Sequence, residues 1–561
     1  MTKSTEEGSL VGQVRRSPGP TGEVPPARTA PSQTVVGQPG ARVRTPGNDG
    51  WRNHAEQYFL SHGDALWKAA QAVPPLNRFL NRTIVNLAVT KLPARPRPLS
   101  TIAPYTSWPA LVDRTYTGRH LPPVEDQESG RASVERTASL FTREPGRTKL
   151  CSRSTVLLPY FAQWFTDGFL RGESEEPRDP RRNTSTYDMD VNQLYGLNPD
   201  VLAQLRAFEG GRLKSQQING GEFPPHLCRN GKIEPEFSRL TPVRFDTLSN
   251  EQKDGLFACG SDRANGQIGF TMMTVLFLRE HNRIAGELAE RQPRWDDERL
   301  FQTTRLILTA MLIKIAIEEY VNHIANFRFR FRMDPHGLGN PAWHRQAWIS
   351  IEFNLMYRWH SLIPSTLQVG GQEMPMGQTI HRSPLLPEVG LGRLIADASE
   401  QRAGRLGLLN TDAGLGMLEA QSIAVGREVQ LASYNDYRAY SQFPRITDFR
   451  QITADPAAQQ LLSEVYRTPD DIDLFVGLMA EDPAPGAILG PLLQRMESTE
   501  AFSQMVVNPL LSPRVFHEGT FTAWGMRLIH TTGTLSDVVH RNIPEESEQF
   551  FIGMAARQTA R

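Results

Sequence analysis

Apolar residues recur every three or four positions over most of the chain beyond residue 150, and this period predicts amphipathic α-helices. Alternation of single apolar and polar residues, which predicts strands, is scarce. The longest helical patterns cover residues 155–170, 270–291, 298–324 and 343–362. We therefore expect a mainly α fold, one large helical body with few or no strands.

The first fifty residues have a different composition. Residues 1–50 hold seven prolines, eight glycines and no aromatic residue. Such a segment buries too little apolar surface to offset the entropy of ordering. We predict a disordered tail.

Residues 51–95 predict short amphipathic helices that Pro74 and Pro75 interrupt. Their apolar side chains, at near-helical spacings, are Tyr58, Phe59, Leu66, Trp67, Leu76, Phe79, Leu80, Ile84 and Leu87. Two interpretations stay open: these stripes pack against the body of the protein, or they dock into one leaflet of a membrane.

Composition excludes several classes of protein. Of the 561 residues 39% are hydrophobic and 22% charged, which is typical of a globular chain. Sixty-one basic residues balance sixty-one acidic ones, so we expect no nucleic-acid partner. Three scattered cysteines and an N-terminus without an apolar signal segment favour a cytoplasmic protein, with peripheral membrane contact left open.

The segment IEFNLMYRWHSLIP, residues 351–364, carries the clearest chemistry. On a helix, Tyr357 and His360 are three positions apart and share one face, so a metal bound to the imidazole has the phenol nearby. A neutral imidazole is an ordinary axial ligand of haem iron. Alone, this pair of residues is a weak signal.

Six motifs in order give the pair a context. They are FAQWFTD (161–167), DMDVNQLYG (188–196), LREHNRIAGEL (278–288), PRWDDERLFQTTRLIL (293–308), IKIAIEEYVNHI (313–324) and EFNLMYRWHSLIP (352–364). With them the chain resembles the peroxidase-cyclooxygenase superfamily of haem proteins from Trp51 to the C-terminus. Within it, the sequence is similar to the animal cyclooxygenases and to the fungal and plant fatty-acid dioxygenases. The few cysteines favour a microbial member.

The resemblance implies a haem peroxidase-like dioxygenase domain over residues 96–561, with haem b as cofactor. Carried over by position, His360 is the axial ligand of the iron and Tyr357 forms the tyrosyl radical that abstracts substrate hydrogen. Tyr320 matches a tyrosine that hydrogen bonds to the radical tyrosine. Gln163 matches a glutamine on the distal side of the haem, and Trp359 is expected to pack beside it.

Asp167 stands where the resemblance places a distal histidine, the group that moves the proton of a bound hydroperoxide. If burial keeps the Asp167 carboxyl protonated, it still shuttles this proton, and we favour that outcome, with weakened peroxidase activity. If the carboxyl stays ionised, hydroperoxide turnover becomes slow.

Residues that match the substrate channel also differ in chemistry. Phe327 replaces a tyrosine at the channel mouth and cannot hydrogen bond to a carboxylate. Lys91 and Arg95 are candidate carboxylate anchors, each equally plausible as a solvated loop cation. Ala501 matches the channel serine, and Ser503 lies two residues further on. These differences argue against prostaglandin formation but not against a long apolar substrate.

We therefore expect an oxidoreductase, a haem-dependent dioxygenase that adds O2 to a long-chain, unsaturated fatty acid. Two alternatives remain: a haem peroxidase or oxidase with another substrate, and a haem-binding pseudoenzyme that Asp167 has silenced. A homodimer is also left open, because the cyclooxygenases are dimers but part of their contact region has no counterpart here.

Overall fold

The computed structural model describes residues 58–91, 115–124, 131–173, 178–325, 327–337, 339, 349–543 and 550–557. These residues belong to one compact unit, Gly47–Arg561. The tail predicted over residues 1–50 lies outside the described residues, and so does Arg95. For Lys91 only the backbone is described.

Helices dominate the described residues, so the prediction of a mainly α fold is confirmed. The α-helices are α1 (Asp64–Ala72), α2 (Pro74–Lys91), α3 (Val134–Ala138), α4 (Leu157–Asp167), α5 (Asn192–Tyr195), α6 (Pro199–Leu205), α7 (Asn250–Asp254), α8 (Ile268–Arg291), α9 (Asp297–Ile315), α10 (Asn322–Ile324), α11 (Ile351–Met356), α12 (Leu385–Val389), α13 (Leu391–Glu400), α14 (Gly416–Glu428), α15 (Tyr434–Tyr440), α16 (Pro456–Val465), α17 (Leu474–Ala480), α18 (Pro491–Val506), α19 (Glu518–Thr531) and α20 (Leu535–Asn542).

Strands are short and pair in twos, all antiparallel. They are β1 (Leu150–Thr155) with β8 (Arg402–Gly404), β2 (Gln216–Ile218) with β3 (Gly221–Phe223), β4 (Cys228–Arg229) with β5 (Lys232–Ile233), and β6 (Thr366–Val369) with β7 (Gln372–Pro375). Strand β8 lies so close to the backbone beside His360 that a Cβ on Gly404 would sit 2.1 Å from the carbonyl oxygen of Ser361. This glycine lets the sheet hold the segment that carries the histidine.

The core is centred on α8, which packs against α4, α9 and α20. Every residue of α4 is buried except Gln163, so this helix is apolar all round with one polar side chain exposed. Trp164 stacks on Phe277 of α8 with ring centroids 4.5 Å apart, and its Nε1 donates to Thr274 Oγ1 at 3.1 Å. Burial on all sides fixes the direction in which Gln163 points.

Helix α9 continues through a π-helical turn, Ala316–Val321, into α10. Turns of this kind are frequent at functional sites, and this one carries Tyr320. The combined helix, Asp297–Ile324, is long and apolar enough to cross a membrane, but 83% of its most apolar window is buried within the protein. That burial is typical of the core helix of a globular body.

A buried carboxylate joins α8 to α20. Glu280 of α8 has no exposed surface and accepts hydrogen bonds from Arg283 at 2.8 Å, Arg541 at 2.9 Å and Asn542 at 2.7 Å. A buried charge persists when it is paired in this way. Glu280 therefore fixes α20 against α8.

The two N-terminal helices divide their apolar residues between the body and the surface. Trp67 and Val85 are buried, and the Trp67 ring meets Phe329 edge-on at 5.5 Å. Other large apolar side chains remain exposed, namely Tyr58, Phe59, Leu66, Val73, Leu76, Phe79 and Leu87. Part of the apolar surface of this segment therefore packs against the body of the protein, and docking of the exposed part into a membrane stays a prediction.

The contact of α8 with α4 depends on a glycine in the first turn of α8. A Cβ on Gly269 would lie 2.1 Å from Cγ of the Tyr160 ring, which is buried and cannot move aside. We expect Gly269→Ala to lower the free energy of unfolding by about 1–3 kcal/mol, the usual cost of overpacking a core. Urea denaturation of the two proteins measures the change.

Gly416→Ala is the matched control. Gly416 also lies in the first turn of a helix, has φ −57°, and nothing lies within 4 Å of its Cβ position. This substitution should be neutral or stabilise the protein by up to about 1 kcal/mol. Equal losses in both variants would contradict the close packing of α8 on α4.

Candidate active site

The backbone of the Tyr-Arg-Trp-His segment is not one helix. Helix α11 ends at Met356, Tyr357 and Trp359 leave the helical region at ψ 19° and 43°, and His360 begins a 3₁₀ turn, His360–Leu362. The helix expected over residues 343–362 was therefore wrong in this part, and Tyr357 and His360 do not share a helical face. The change of direction lets the rings of Tyr357 and Trp359 pack together at 5.2 Å beside the core.

His360 lies at the edge of the core with one side of its ring against a carboxylate. Its side chain is 18% exposed, and its Nδ1 lies 3.2 Å from Oε2 of Glu419, which is 1% exposed. The two atoms do not complete a hydrogen bond, with each other or with a third group. The other oxygen of Glu419 accepts a hydrogen bond from Thr411 Oγ1 at 2.7 Å. A buried carboxylate thus lies beside the Nδ1 side of the imidazole.

Positive charge gathers beside this pair. Burial and the nearby Arg263 guanidinium lower the pKa of Arg358 to about 10, and Glu419 acts in the opposite direction. Arg358 Nη2 donates to Asn354 Oδ1 at 3.2 Å, and its Nε has no partner. These are donors for an anionic group.

These residues fit a haem. His360 offers an imidazole whose Nδ1 lies 3.2 Å from a carboxylate oxygen, and a carboxylate is a usual neighbour of a ligating histidine. Arg358 has an unsatisfied buried donor of the kind that a haem propionate accepts. The ligand set therefore suits an iron porphyrin.

Tyr357 lies in a second cluster with Tyr320 and Glu497. Burial raises the pKa of the Tyr357 phenol well above 10, and contact with Glu497 and Tyr320 raises it further. Its ring meets Phe353 edge-on at 5.1 Å. Tyr320 is 1% exposed and lies against Phe161 at 5.7 Å. Its phenol lies near that of Tyr357, and the roles that the resemblance gives to the two tyrosines stay predictions.

Glu497 of α18 is an uncommon neighbour for a phenol. It has no exposed surface, and its oxygens lie near the phenols without completing a well-formed hydrogen bond. Burial raises the pKa of the Glu497 carboxyl well above its ordinary value of 4.5, and contact with Tyr357 offsets this only partly. The site therefore favours a neutral carboxyl group beside the phenol.

Asp167 does not point into open space. Its Oδ2 accepts from Arg171 Nη1 and Ser261 Oγ, each at 2.7 Å, and its Oδ1 accepts from Arg263 Nη1 at 3.0 Å. Both oxygens of Asp167 are therefore engaged by neighbouring side chains, two of them guanidinium groups. Its part in peroxide chemistry stays a prediction.

Gln163 takes the open position one turn before Asp167. It is the exposed residue of α4, and its Oε1 accepts from Gln267 Nε2 at 2.7 Å. Gln267 in turn accepts from the backbone N–H of Gly269 at 2.7 Å and so caps α8. The side-chain amides of Gln163 and Gln267 therefore meet at the exposed position of α4.

A cavity of about 150 Å³ lies between α2, residues 332–335 and the C-terminal half of α18. Phe502 and Val506 supply apolar lining, and Arg332 and Asp334 are also among the lining residues. Phe502 packs against Phe331, which in turn meets the half-buried Phe327 edge-on at 6.2 Å. The cavity wall therefore combines apolar side chains with residues of both charges.

The two α18 residues predicted to contact substrate are both buried. Ala501 is 4% exposed and precedes Phe502. Ser503 is fully buried, and its hydroxyl donates to the carbonyl of Glu500 at 2.9 Å. The structure thus brings Ala501 near the cavity wall but engages Ser503 within its own helix.

Sequence reasoning missed Glu419, Glu497, Arg332 and the Asp167 cluster. The two glutamates lie in helices of mixed polarity far along the chain from Tyr357 and His360, so spacing carried no signal of contact. Of the two arginines that bind Asp167, Arg171 is close to it in sequence and Arg263 is far from it, so spacing indicated at most one of the contacts.

Comparison with known proteins gives the arrangement a family context. Residues 159–551 match the profile of a family described as animal haem peroxidase. Prostaglandin G/H synthase 2 of Cavia porcellus is 29% identical over 500 residues, which cover 87% of this chain and 80% of that protein.

Two solved structures share the fold. Peroxidase A of Dictyostelium discoideum superposes with a TM-score of 0.64 at 18% identity, over 79% of this chain and 95% of its own. A fatty acid alpha-dioxygenase of Oryza sativa, determined with palmitic acid, superposes with a TM-score of 0.62 at 18% identity, over 89% of this chain and 95% of its own.

Asp167→Asn tests the ion cluster. The amide keeps the shape but loses the charge that two guanidinium groups bind, and Arg171 is only 5% exposed. We expect the free energy of unfolding to fall by about 3 kcal/mol, as for other broken buried ion pairs. Glu428→Gln, which removes the partly exposed partner of Arg178, should cost at most about 1 kcal/mol in the same denaturation series. Similar small losses in both variants would mean that Asp167 is not bound as described.

Glu497→Gln has a pH signature. The folded protein holds the Glu497 proton more tightly than the unfolded chain, so this group's contribution to stability is full below about pH 4.5 and is lost as pH rises towards the raised pKa. Glutamine does not ionise. The free energy of unfolding of the variant, relative to that of the parent, should therefore rise by up to about 1.4 kcal/mol per pH unit between about pH 5 and pH 8. Denaturation at each pH measures this difference. A difference that stays constant with pH would rule out a raised pKa.

Proposed function

The chain belongs to the animal haem peroxidase family, and on that premise we propose that it is a fatty-acid dioxygenase that uses a radical on Tyr357. It is an oxidoreductase with haem iron as its cofactor. The substrate of the proposal is a long-chain, unsaturated fatty acid, and the second substrate is O2. The cluster of Tyr357, Tyr320 and Glu497 is the observation that carries it.

His360 would hold the iron, and Arg358 would pair with a propionate. Haem, when bound, supplies the one-electron oxidising power that converts the Tyr357 phenol to a radical. Trp359 packs beside both tyrosines, with its ring 5.2 Å from that of Tyr357 and 6.5 Å from that of Tyr320, and so helps to keep water away from the phenol. The packing on Phe353 and Trp359 sets the ring direction.

The reaction balances around Tyr357. The phenoxyl oxygen takes a hydrogen atom from a weak C–H bond of the substrate, O2 adds to the carbon radical, and the peroxyl radical recovers a hydrogen atom from Tyr357. The net change is R–H plus O2 to R–OOH, and the tyrosyl radical is restored. Positioning of the substrate carbon against the phenol oxygen decides the rate.

Helix α18 supports a route for an apolar chain. Phe502 lines the cavity, Ala501 precedes it, and Glu497 reaches Tyr357 from the same helix. At about 1.5 Å rise per residue the five positions from Phe502 to Glu497 span about 7.5 Å. The carboxylate anchor, a role that sequence reasoning gave to Lys91 or Arg95, stays a prediction. The Oryza sativa dioxygenase was determined with palmitic acid, a long-chain fatty acid, which supports this class of substrate.

Peroxide handling is the weaker side of the proposed enzyme. Asp167 is bound by Arg171, Ser261 and Arg263, and the open face of α4 offers the amide of Gln163. Amides do not exchange protons in the working range, so peroxidase turnover should be slow.

The exposed apolar residues of α1 and α2 support a peripheral membrane contact for a cytoplasmic enzyme, which would draw its substrate from the lipid phase. The homodimer stays a prediction.

Tyr357→Phe tests the function. Without the phenol O–H no radical forms, so O2 uptake by the haem-loaded protein with unsaturated fatty acids, started with a trace of fatty-acid hydroperoxide, should fall at least about a hundredfold. The tyrosyl radical signal in electron paramagnetic resonance should disappear with it. Mass spectrometry of the product should find the added oxygen as a hydroperoxide.

Tyr434→Phe is the matched control, because Tyr434 is a buried tyrosine that donates to Glu481 away from this cluster. It should retain O2 uptake. Turnover of small reductants that persists in Tyr357→Phe, with no O2 uptake by the parent for any fatty acid, would instead favour a peroxidase. Loss of both activities in the parent would favour a pseudoenzyme.

A further inference from the structure

Two buried polar atoms without a hydrogen bond face each other where His360 meets Glu419. Nδ1 and Oε2 are 3.2 Å apart, Glu419 is 1% exposed, and neither atom completes a hydrogen bond in this structure. Thr411 is fully buried and donates to the other Glu419 oxygen at 2.7 Å, which fixes the rotation of the carboxylate. The acceptor is therefore oriented before any ligand binds.

The countercharge for this carboxylate is also in place. Glu419 acts electrostatically on the guanidinium of Arg358, which follows Tyr357 in the same segment as His360. A buried carboxylate persists when a cation and hydrogen-bond donors surround it. Glu419 thus has a hydroxyl, a guanidinium and an imidazole around it.

A carboxylate at Nδ1 has a defined effect on an imidazole ligand. It accepts the Nδ1 proton, which fixes the tautomer and leaves Nε2 as the nitrogen with a free lone pair. It also draws the Nδ1 proton towards itself, so that the ring donates more electron density through Nε2.

We propose that Glu419 is a positioning residue that holds His360 with Nε2 directed at the haem iron and strengthens its donation to the metal. The inference rests on the proposed function in one respect only, the assignment of His360 as the axial ligand. A merely structural Glu419 would tie α14 to Thr411 and leave the iron unaffected.

Glu419→Gln tests the proposal with readouts other than activity. An amide accepts the Nδ1 proton more weakly, so the iron–histidine stretching band in resonance Raman spectra of the ferrous haem-loaded protein should move to lower frequency. The reduction potential of the iron should rise. Haem affinity, measured by titration of the apoprotein, should fall by about 10- to 100-fold.

Three further variants make the test specific. Glu419→Asp keeps the charge and should lie closer to the parent in both band and potential than Glu419→Gln. Thr411→Val removes the hydroxyl that orients Glu419 and should give an intermediate shift. Glu481→Gln removes another buried glutamate, held by Tyr434 and Arg438, and should change neither readout.

The outcomes separate this proposal from the proposed function. A Glu419→Gln protein that unfolds more easily but keeps the band and the potential of the parent would overturn the positioning role. If His360→Gly retains the iron–histidine band, the ligand assignment itself is wrong. A shifted band and potential in Glu419→Gln support the role of Glu419 even if no fatty acid drives O2 uptake.

Discussion

The need to pair every buried charge governs this structure. The core of the helical body is mainly apolar, and a charged side chain inside it persists only with partners that replace water. Glu280 meets this need with Arg283, Arg541 and Asn542, and in doing so ties α20 to α8. The same constraint decides the site, because the partners that a carboxylate finds determine whether it is a structural anion or a group free for chemistry.

Glu497 is the exception that marks the reactive position. Its oxygens lie near the phenols, and no cation is among the causes that shift its pKa, so burial favours its neutral form. A neutral carboxyl beside Tyr357 leaves the phenol without an adjacent fixed negative charge. The neighbourhood stays apolar enough for a hydrocarbon chain, which fits the approach of an uncharged C–H bond along α18.

Sequence reasoning recovered the helical class and the long core helices, because periodicity carries that information. Local motifs singled out Tyr320, Tyr357 and His360 as candidate site residues. It failed where contacts join distant parts of the chain. The end of α11 at Met356 follows from the packing of Tyr357 and Trp359 on the core, and Glu419 reaches His360 from α14. Asp167 shows the limit most clearly, since nothing in the sequence indicates that Arg263, far along the chain, meets its carboxylate together with Arg171.

The two carboxylates then take complementary roles on the two sides of the proposed haem. On the distal side, Asp167 is engaged by guanidinium groups and offers no proton carrier, so little pull acts on the leaving oxygen of a peroxide. On the proximal side, the proposed role of Glu419 would increase the electron density that His360 donates, which in haem proteins favours cleavage of the O–O bond. An enzyme of the proposed design would form its tyrosyl radical slowly but would need to form it only once, since each dioxygenation would restore the radical on Tyr357. Loss of a distal base is therefore more tolerable in a dioxygenase than in a peroxidase, which needs peroxide activation in every turnover.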